Sequence, residues 1–378
     1  MQAYFDNAAT TAMDPEVVER MAETMRSVYG NPSAIHALGR KARAEVELAR
    51  KSIAKWLNCN SKEIYFTGSG TEGDNMAIRC AVNDLNVTHI ITSAIEHKAV
   101  LDTSKELERK ELVQVHLVNL NPDGSADLLH LEELASKYQG ALISLMHANN
   151  EIGTLNPLKE ISKIARANNC YFHSDTVQSM AHYTFDLQDL DLDFLTCSAH
   201  KFHGPKGVGF LYKNQNVALK PIITGGGQES KLRAGTENVF GIVGLATAMD
   251  IAYQSLEEDQ AKIQNLKKIA ADKLLTEIPG VAINGASDPD KSLFTVLNIS
   301  FPHAEVNTTL LFQLDLAGIC VSGGSACNSG AVGESHVLAG LNHPKDRTAI
   351  RISFSKYNTE EEIDFLVEQL KSLYLVPA

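Results

Sequence analysis

No stretch of the 378-residue chain approaches the ~18 consecutive apolar residues that a membrane-spanning helix needs. The first residues, Met1-Gln2-Ala3-Tyr4-Phe5-Asp6, lack the basic segment followed by an apolar one that marks a secretory signal. Basic residues are outnumbered: 34 Lys and Arg face 46 Asp and Glu, a formal net charge of −12. That balance argues against a general nucleic-acid binder, because phosphate backbones require clustered cations. The six cysteines are scattered through the chain and do not suggest a disulfide framework, and neither a CxxC pair nor a His-rich zinc spacing occurs. Repeats and low-complexity tracts are also missing. A cytoplasmic protein with reduced thiols, no membrane and no stable metal is the expectation.

What is present is an ordinary core-forming composition, 44% hydrophobic and 21% charged, long enough for two domains. The first thirteen residues read as an extended arm. Asp14 and Pro15 then have the cap and first-turn chemistry of a helix start, and 37–57 reads as a long amphipathic helix. From there short apolar runs at 63–67, 89–93, 113–118, 141–147, 170–174 and 193–197 alternate with helical patterns at 71–84, 98–109, 129–138 and 158–168. Such alternation predicts an α/β protein, with a mostly parallel sheet covered by helices on both faces. Past the Gly225-Gly226-Gly227 run, a helix from Val239 and a charged helix closing at Pro279-Gly280 lead to a smaller α+β portion.

In parallel sheets ligands bind beyond the carboxyl ends of the strands. The residues predicted there are Gly68-Ser69-Gly70-Thr71, Glu96-His97, Asn149-Asn150-Glu151, Asp175 with Gln178, and Ser198-Ala199-His200-Lys201. Lys201 at a strand end suits Schiff-base chemistry, with Ser198 and His200 beside it fit for an anionic group; a surface lysine in a turn is the alternative. Gly68 to Gly73 matches GxGxxG after a strand, with Glu96 further on. It reads as a phosphate loop at a helix N-terminus, as the dinucleotide loop of a NAD-dependent oxidoreductase, or as a plain tight turn. Asp175 is either a helix cap or the partner of a pyridine nitrogen. Gln178 could then reach the ring hydroxyl, and His97 could stack on the ring and move protons. Arg351, a charge within the apolar alternation Ala349–Phe354, fits a substrate carboxylate or a salt bridge. Cys327 stands apart from the other five cysteines because small, flexible residues surround it in Gly323-Gly324-Ser325-Ala326-Cys327-Asn328-Ser329-Gly330. A thiol there is accessible enough to act as nucleophile or carrier.

Taken in order, Tyr4-Phe5-Asp6-Asn7-Ala8-Ala9-Thr10-Thr11, Thr71-Glu72-Gly73-Asp74-Asn75, Glu96-His97-Lys98, Asn149-Asn150-Glu151-Ile152-Gly153-Thr154, Ser198-Ala199-His200-Lys201, Arg233-Ala234-Gly235-Thr236-Glu237-Asn238 and Gly324-Ser325-Ala326-Cys327 resemble the cysteine desulfurases of the NifS/IscS type. These are fold-type I enzymes dependent on pyridoxal 5'-phosphate, and the similarity runs nearly end to end. It implies a large domain over 14–255 with a mostly parallel seven-stranded sheet flanked by helices. It also implies a small α+β domain from 1–13 and 256–378, carrying a mobile cysteine loop at about 320–336. By the same resemblance Lys201 binds the cofactor covalently, Asp175 pairs with its ring nitrogen and His97 stacks on it. Asn149 and Gln178 contact its hydroxyl side, while Gly70, Thr71, Ser198 and His200 hold its phosphate. Thr236 would reach across from a second subunit of a homodimer, and Arg351, with Asn31 and Asn149, would bind L-cysteine. Cys327 would take the sulfur as a persulfide for an acceptor such as an iron–sulfur scaffold or thio-carrier, with passing contact to an iron–sulfur cluster. The alternatives within the fold are a selenocysteine lyase or another lyase or aminotransferase. One departure is visible: Val332-Gly333-Glu334-Ser335-His336 lacks the proline that many relatives carry after the cysteine.

Overall fold

The structure is a computed structural model that describes residues 1–323 and 335–375. Its strands are β1 (Ala3–Tyr4), β2 (Ile64–Thr67), β3 (His89–Thr92), β4 (Gln114–Leu117), β5 (Leu142–Ser144), β6 (Tyr171–Asp175), β7 (Phe194–Ser198), β8 (Gly209–Lys213), β9 (Ala282–Asn284), β10 (Val296–Phe301), β11 (Ile319–Cys320) and β12 (Thr348–Ser353). Its helices are α1 (Pro15–Ser27), α2 (Ala37–Trp56), α3 (Gly70–Asp84), α4 (Lys98–Arg109), α5 (Leu128–Lys137), α6 (Leu158–Ala167), α7 (Leu187–Leu190), α8 (Val239–Gln254), α9 (Leu256–Glu277), α10 (Leu310–Leu316), α11 (His336–Gly340) and α12 (Glu360–Leu375). Among the described residues no single helix is long and apolar enough to cross a membrane.

Seven strands form the main sheet in the order β2-β8-β7-β6-β5-β3-β4. The run β4-β3-β5-β6-β7 is parallel, as the strand–helix alternation requires, whereas β8 is antiparallel to both its neighbours. The antiparallel strand follows from its short connection: only about ten residues link β7 to β8, too few for a helical crossover. Strands β5 to β7 are buried along nearly their whole length because both faces are covered. Side chains of α3 and α4 pack on one face, with Met76, Ile78, Val100 and Leu107 in one core. The other face is covered by α2, α5, α6 and α8 through residues such as Val46, Leu131, Ile161 and Leu245.

A separate core joins Phe5 of the N-terminal arm to α9, α12 and the three-stranded antiparallel sheet β12-β10-β9. α8 ends at Gln254 and α9 begins at Leu256, with a 75° bend between them. The arm is anchored at both ends of its length. β1 pairs with β11 in parallel. Asn7 then donates from Nδ2 to Ser353 O at 2.8 Å. It therefore ties the two-stranded sheet β1-β11 to the three-stranded one, which matters for the site.

Candidate active site

The chain reverses direction across the main sheet between β3 and β5, where connections leave to opposite sides. A crevice opens at such a switch point, beyond the carboxyl ends of the strands. The cavity found there, about 230 Å³, is walled by groups from eight segments: the N-terminal arm, the N-terminus of α3, the β3–α4 turn, the loop after β5, the ends of β6 and β7, α11 and β12. Gly70, Thr71, His97, Asp175, Gln178, Ser198, His200, Lys201 and Arg351 all line it.

At one end lies the first turn of α3. Ser69 caps that helix, its Oγ accepting from Glu72 N at 3.2 Å. The first-turn amides of a helix have no intrahelical acceptor, and its dipole favours an anion there. Gly70 has to be glycine: a Cβ would lie 2.6 Å from Val177 Cγ2. The chain thus brings backbone close to the cavity beside the hydroxyl of Ser198 and the imidazole of His200. His200 Nδ1 lies 3.1 Å from Thr10 Oγ1, and burial next to Lys201 pushes its pKa down to about 4. It is therefore a neutral hydrogen-bonding group near pH 7.

Lys201 follows β7 in a single 3₁₀ turn, and its Nζ donates to Ala8 O at 2.6 Å and Ala9 O at 2.8 Å. The N-terminal arm thus aims the amine into the cavity with carbonyl oxygens. Gln178 Nε2 donates to the same Ala8 O at 3.0 Å.

The opposite wall is acidic. Asp175 ends β6, with Oδ1 accepting from Val177 N at 2.9 Å. Burial and the neighbouring Asp74 hold its pKa well above the usual carboxylate range. Asp74 itself is 1% exposed. Its Oδ1 lies 3.4 Å from His173 Nε2 but accepts no hydrogen bond, since that nitrogen pairs with Thr196 Oγ1 at 3.1 Å. Asp74, His97 and Asp175 present ligand atoms all within 4.8 Å of one another. Two buried carboxylates and an imidazole so placed call for a cation or a cationic N–H between them.

At the far side Arg351 is 1% exposed. Its Nη1 donates to Asn150 O at 2.7 Å, and its Nη2 donates to Asp6 Oδ1 at 3.0 Å and Ser322 Oγ at 3.3 Å. Its Nε is buried without a partner among the described residues. The guanidinium is thus held rigidly by backbone and arm while one donor stays unused.

Not all of the expected residues line the cavity of this chain. Asn149 does not line the cavity: its Nδ2 donates to Ile95 O at 2.8 Å and its Oδ1 accepts from Glu151 N and Ile152 N. These bonds shape the β5 loop, and it is Asn150 that lines the cavity. Asn31 is exposed in the α1–α2 loop, where its Oδ1 accepts from Ser33 N, and it is not part of the wall in this chain. Thr236 is likewise exposed and outside the cavity. Cys327 and most of the loop expected at 320–336 lie outside the described residues. Glu96, the acid that made the glycine loop resemble a dinucleotide site, is 0% exposed. It is occupied by Ser93 Oγ and Met146 N at 2.9 Å each, so it cannot meet a ribose.

Some groups at the site went unnoticed in sequence. They are Asp6, the Ala8 and Ala9 carbonyls, Asp74 and His336, whereas Asn150 and Glu151 were grouped at the strand ends but given no role of their own. Glu151 is buried, accepts from Ser335 Oγ through Oε2 and has no partner for Oε1 among the described residues. Asp74 had a signal: it sits one helical turn after Gly70, on the same face of α3.

The aminotransferase class-V family model matches residues 3–366. The chain belongs to that family. Within this class-V family, a cysteine desulfurase IscS from Clostridium botulinum is 41% identical to the chain over 376 residues, 98% of this chain and 94% of its own. A solved NifS-like protein superposes with a TM-score of 0.91 at 38% identity, covering 99% of both chains. SspA, solved in complex with cysteine, superposes with a TM-score of 0.81 at 32% identity over 94% of this chain and 100% of its own.

Proposed function

We propose that this protein is a cysteine desulfurase, which converts L-cysteine to L-alanine and carries the released sulfur as a persulfide on Cys327. The observation that carries the reading is the convergence of Lys201, Asp175, His97 and Arg351 on one cavity, in a chain 41% identical to an IscS cysteine desulfurase. The residues present fit pyridoxal phosphate. The unpartnered Asp74 Oδ1 and the raised Asp175 carboxyl suit a protonated ring nitrogen, and the tight approach at Gly70 suits a phosphate at the start of α3.

In this reading Gly70, Thr71, Ser198 and His200 hold the phosphate, Asp175 the ring nitrogen, and Lys201 the aldehyde carbon. Asn150 and Gln178 stand at the hydroxyl side, and His97 lies against the ring. Once bound, pyridoxal phosphate supplies an electron sink for the pair left when the substrate α-proton departs. Arg351, which lines the cavity, takes the L-cysteine carboxylate and so fixes the orientation of the α-carbon. The Lys201 amine then removes the α-proton. The Cys327 thiolate attacks the substrate sulfur, the Cβ–S bond breaks with its electron pair left on the β-carbon, and two protons, the one held by Lys201 and the one lost by the Cys327 thiol, go to the α- and β-carbons to complete alanine.

The assignment of the nucleophile to Cys327 gains support from the five described cysteines. Burial raises the pKa of every one, to about 12 for Cys59 and Cys80, so none is a ready thiolate. The reading includes a cytoplasmic homodimer in which Thr236 completes the partner's phosphate site. It also divides the chain into a large domain (14–255) and a small one (1–13 with 256–378), and it has the sulfur go to an iron–sulfur scaffold or thio-carrier. A selenocysteine lyase has no need of Cys327.

The test is Cys327→Ser mixed with L-cysteine. Cofactor binding and the substrate-induced spectral change are expected to survive, while alanine release falls by orders of magnitude because the nucleophile is lost. Near-normal alanine release refutes the role of Cys327. The homodimer is checked by light scattering at assay concentration, where a fully active monomer rules out a shared site.

A further inference from the structure

A second cavity, of about 530 Å³, lies between α9 and the strands β9 and β10. None of its wall residues lines the catalytic cavity. Ala271, Leu275, Ile283, Phe294, Val296 and Leu297 make much of its wall apolar. Its charged wall residues are Lys267, Lys268 and Asp272, so two cations face one anion in a protein whose net charge is −12.

Lys267 is the unusual member. Its Nζ donates to Ser292 Oγ at 2.7 Å and to Leu293 O at 2.9 Å. These two neutral acceptors use two of its three donors, and it makes no ion pair among the described residues. Burial alone pushes its pKa down to about 8, with no nearby carboxylate to offset it. At neutral pH the group still carries its charge, so a desolvated ammonium with one donor to spare faces an apolar space. Ordinary surface lysines keep their heads in water or pair them. A phosphate dianion would require several donors, whereas one remaining N–H and one uncompensated charge match a carboxylate.

We propose that this cavity is a binding site for an organic monocarboxylate with an apolar tail, its carboxylate on Lys267 Nζ and its tail against the apolar wall. Ligand pockets join apolar surface to placed polar groups, and here Gln264, Asn265, Asn284, Ser287, Ser292 and Asn298 interrupt the apolar wall beside the charged residues. The site is separate from the desulfurase reading and does not depend on it.

The probe is octanoate, titrated calorimetrically into the purified holoprotein, with octanol as the uncharged analogue of equal length. Saturable binding of one octanoate per chain is expected. Lys267→Met is expected to weaken octanoate roughly tenfold or more, the worth of one charge-assisted hydrogen bond, and to leave octanol unaffected. Ala271→Trp fills the space without touching the ammonium and is expected to abolish binding of both. It keeps the test decisive if Lys267→Met fails to fold. Absence of saturable octanoate binding to wild type, or octanoate binding of unchanged affinity in Lys267→Met or Ala271→Trp, overturns the proposal. Catalytic activity is not the readout, so either result leaves the desulfurase reading where it stands.

Discussion

Glu96 offers a measurable consequence of how the site is built. Its carboxyl is buried beneath the catalytic cavity, and burial, with added repulsion from Asp175 and Asp74, pushes its pKa from 4.5 up to about 8. The bonds from Met146 N and Ser93 Oγ only partly offset this. In the unfolded chain the same group ionises near 4.5. Folding therefore gains most from a protonated Glu96 below that value, and the gain is lost as pH rises towards 8. Each pH unit crossed between the two values costs about 1.4 kcal/mol, about 5 kcal/mol over the whole interval. Glu96→Gln keeps the shape and removes the titration. Its carbonyl can accept from Met146 N, and Ser93 Oγ can turn to accept from the amide. Urea unfolding of the two cofactor-free proteins, compared between about pH 5.5 and pH 8, is the assay. Asp175 and the histidines titrate in both proteins and largely cancel in the difference. The variant is expected to gain roughly 3 kcal/mol on wild type across that window. A stability difference that stays constant with pH refutes the argument, since it would mean that Glu96 is ionised in the folded protein throughout.

Two further outcomes follow from the same geometry. Lys201→Ala is expected to lose covalently trapped cofactor after borohydride reduction, read by intact-protein mass spectrometry; persistence of the adduct would mean that another amine holds it. Arg351→Lys keeps the charge but loses the rigid fork held by Asn150 O, Asp6 and Ser322. KM for L-cysteine is expected to rise roughly tenfold to a hundredfold with a smaller change in kcat, and an unchanged KM removes Arg351 from substrate binding.

Local sequence was sufficient for a good deal of this. Apolar runs of strand length alternating with amphipathic helices can bury themselves only as a sheet covered on both faces, so the main sheet was legible from 63 onward. Residues at strand ends share one edge of such a sheet, which is why Gly70, His97, Asp175 and Lys201 could be grouped before any coordinates. Even Arg351 stood out as a charge in an apolar alternation. What the sequence alone did not determine were facts about direction and distance. Asn149 and Asn150 are adjacent and chemically identical, and only the hydrogen bonds of the β5 loop decide that one braces the loop while the other faces the cavity. Glu96 had the right spacing for a ribose ligand, yet tertiary packing buried it. The N-terminal arm gave no local sign of function, because its carbonyls at Ala8 and Ala9 and its Asp6 meet Lys201 and Arg351 from nearly two hundred and more than three hundred residues away. Periodicity and turn chemistry act over a few residues and can be read in one dimension. The partner of a buried charge is chosen by whichever segment the fold brings within about 3 Å, and that choice exists only in the folded chain.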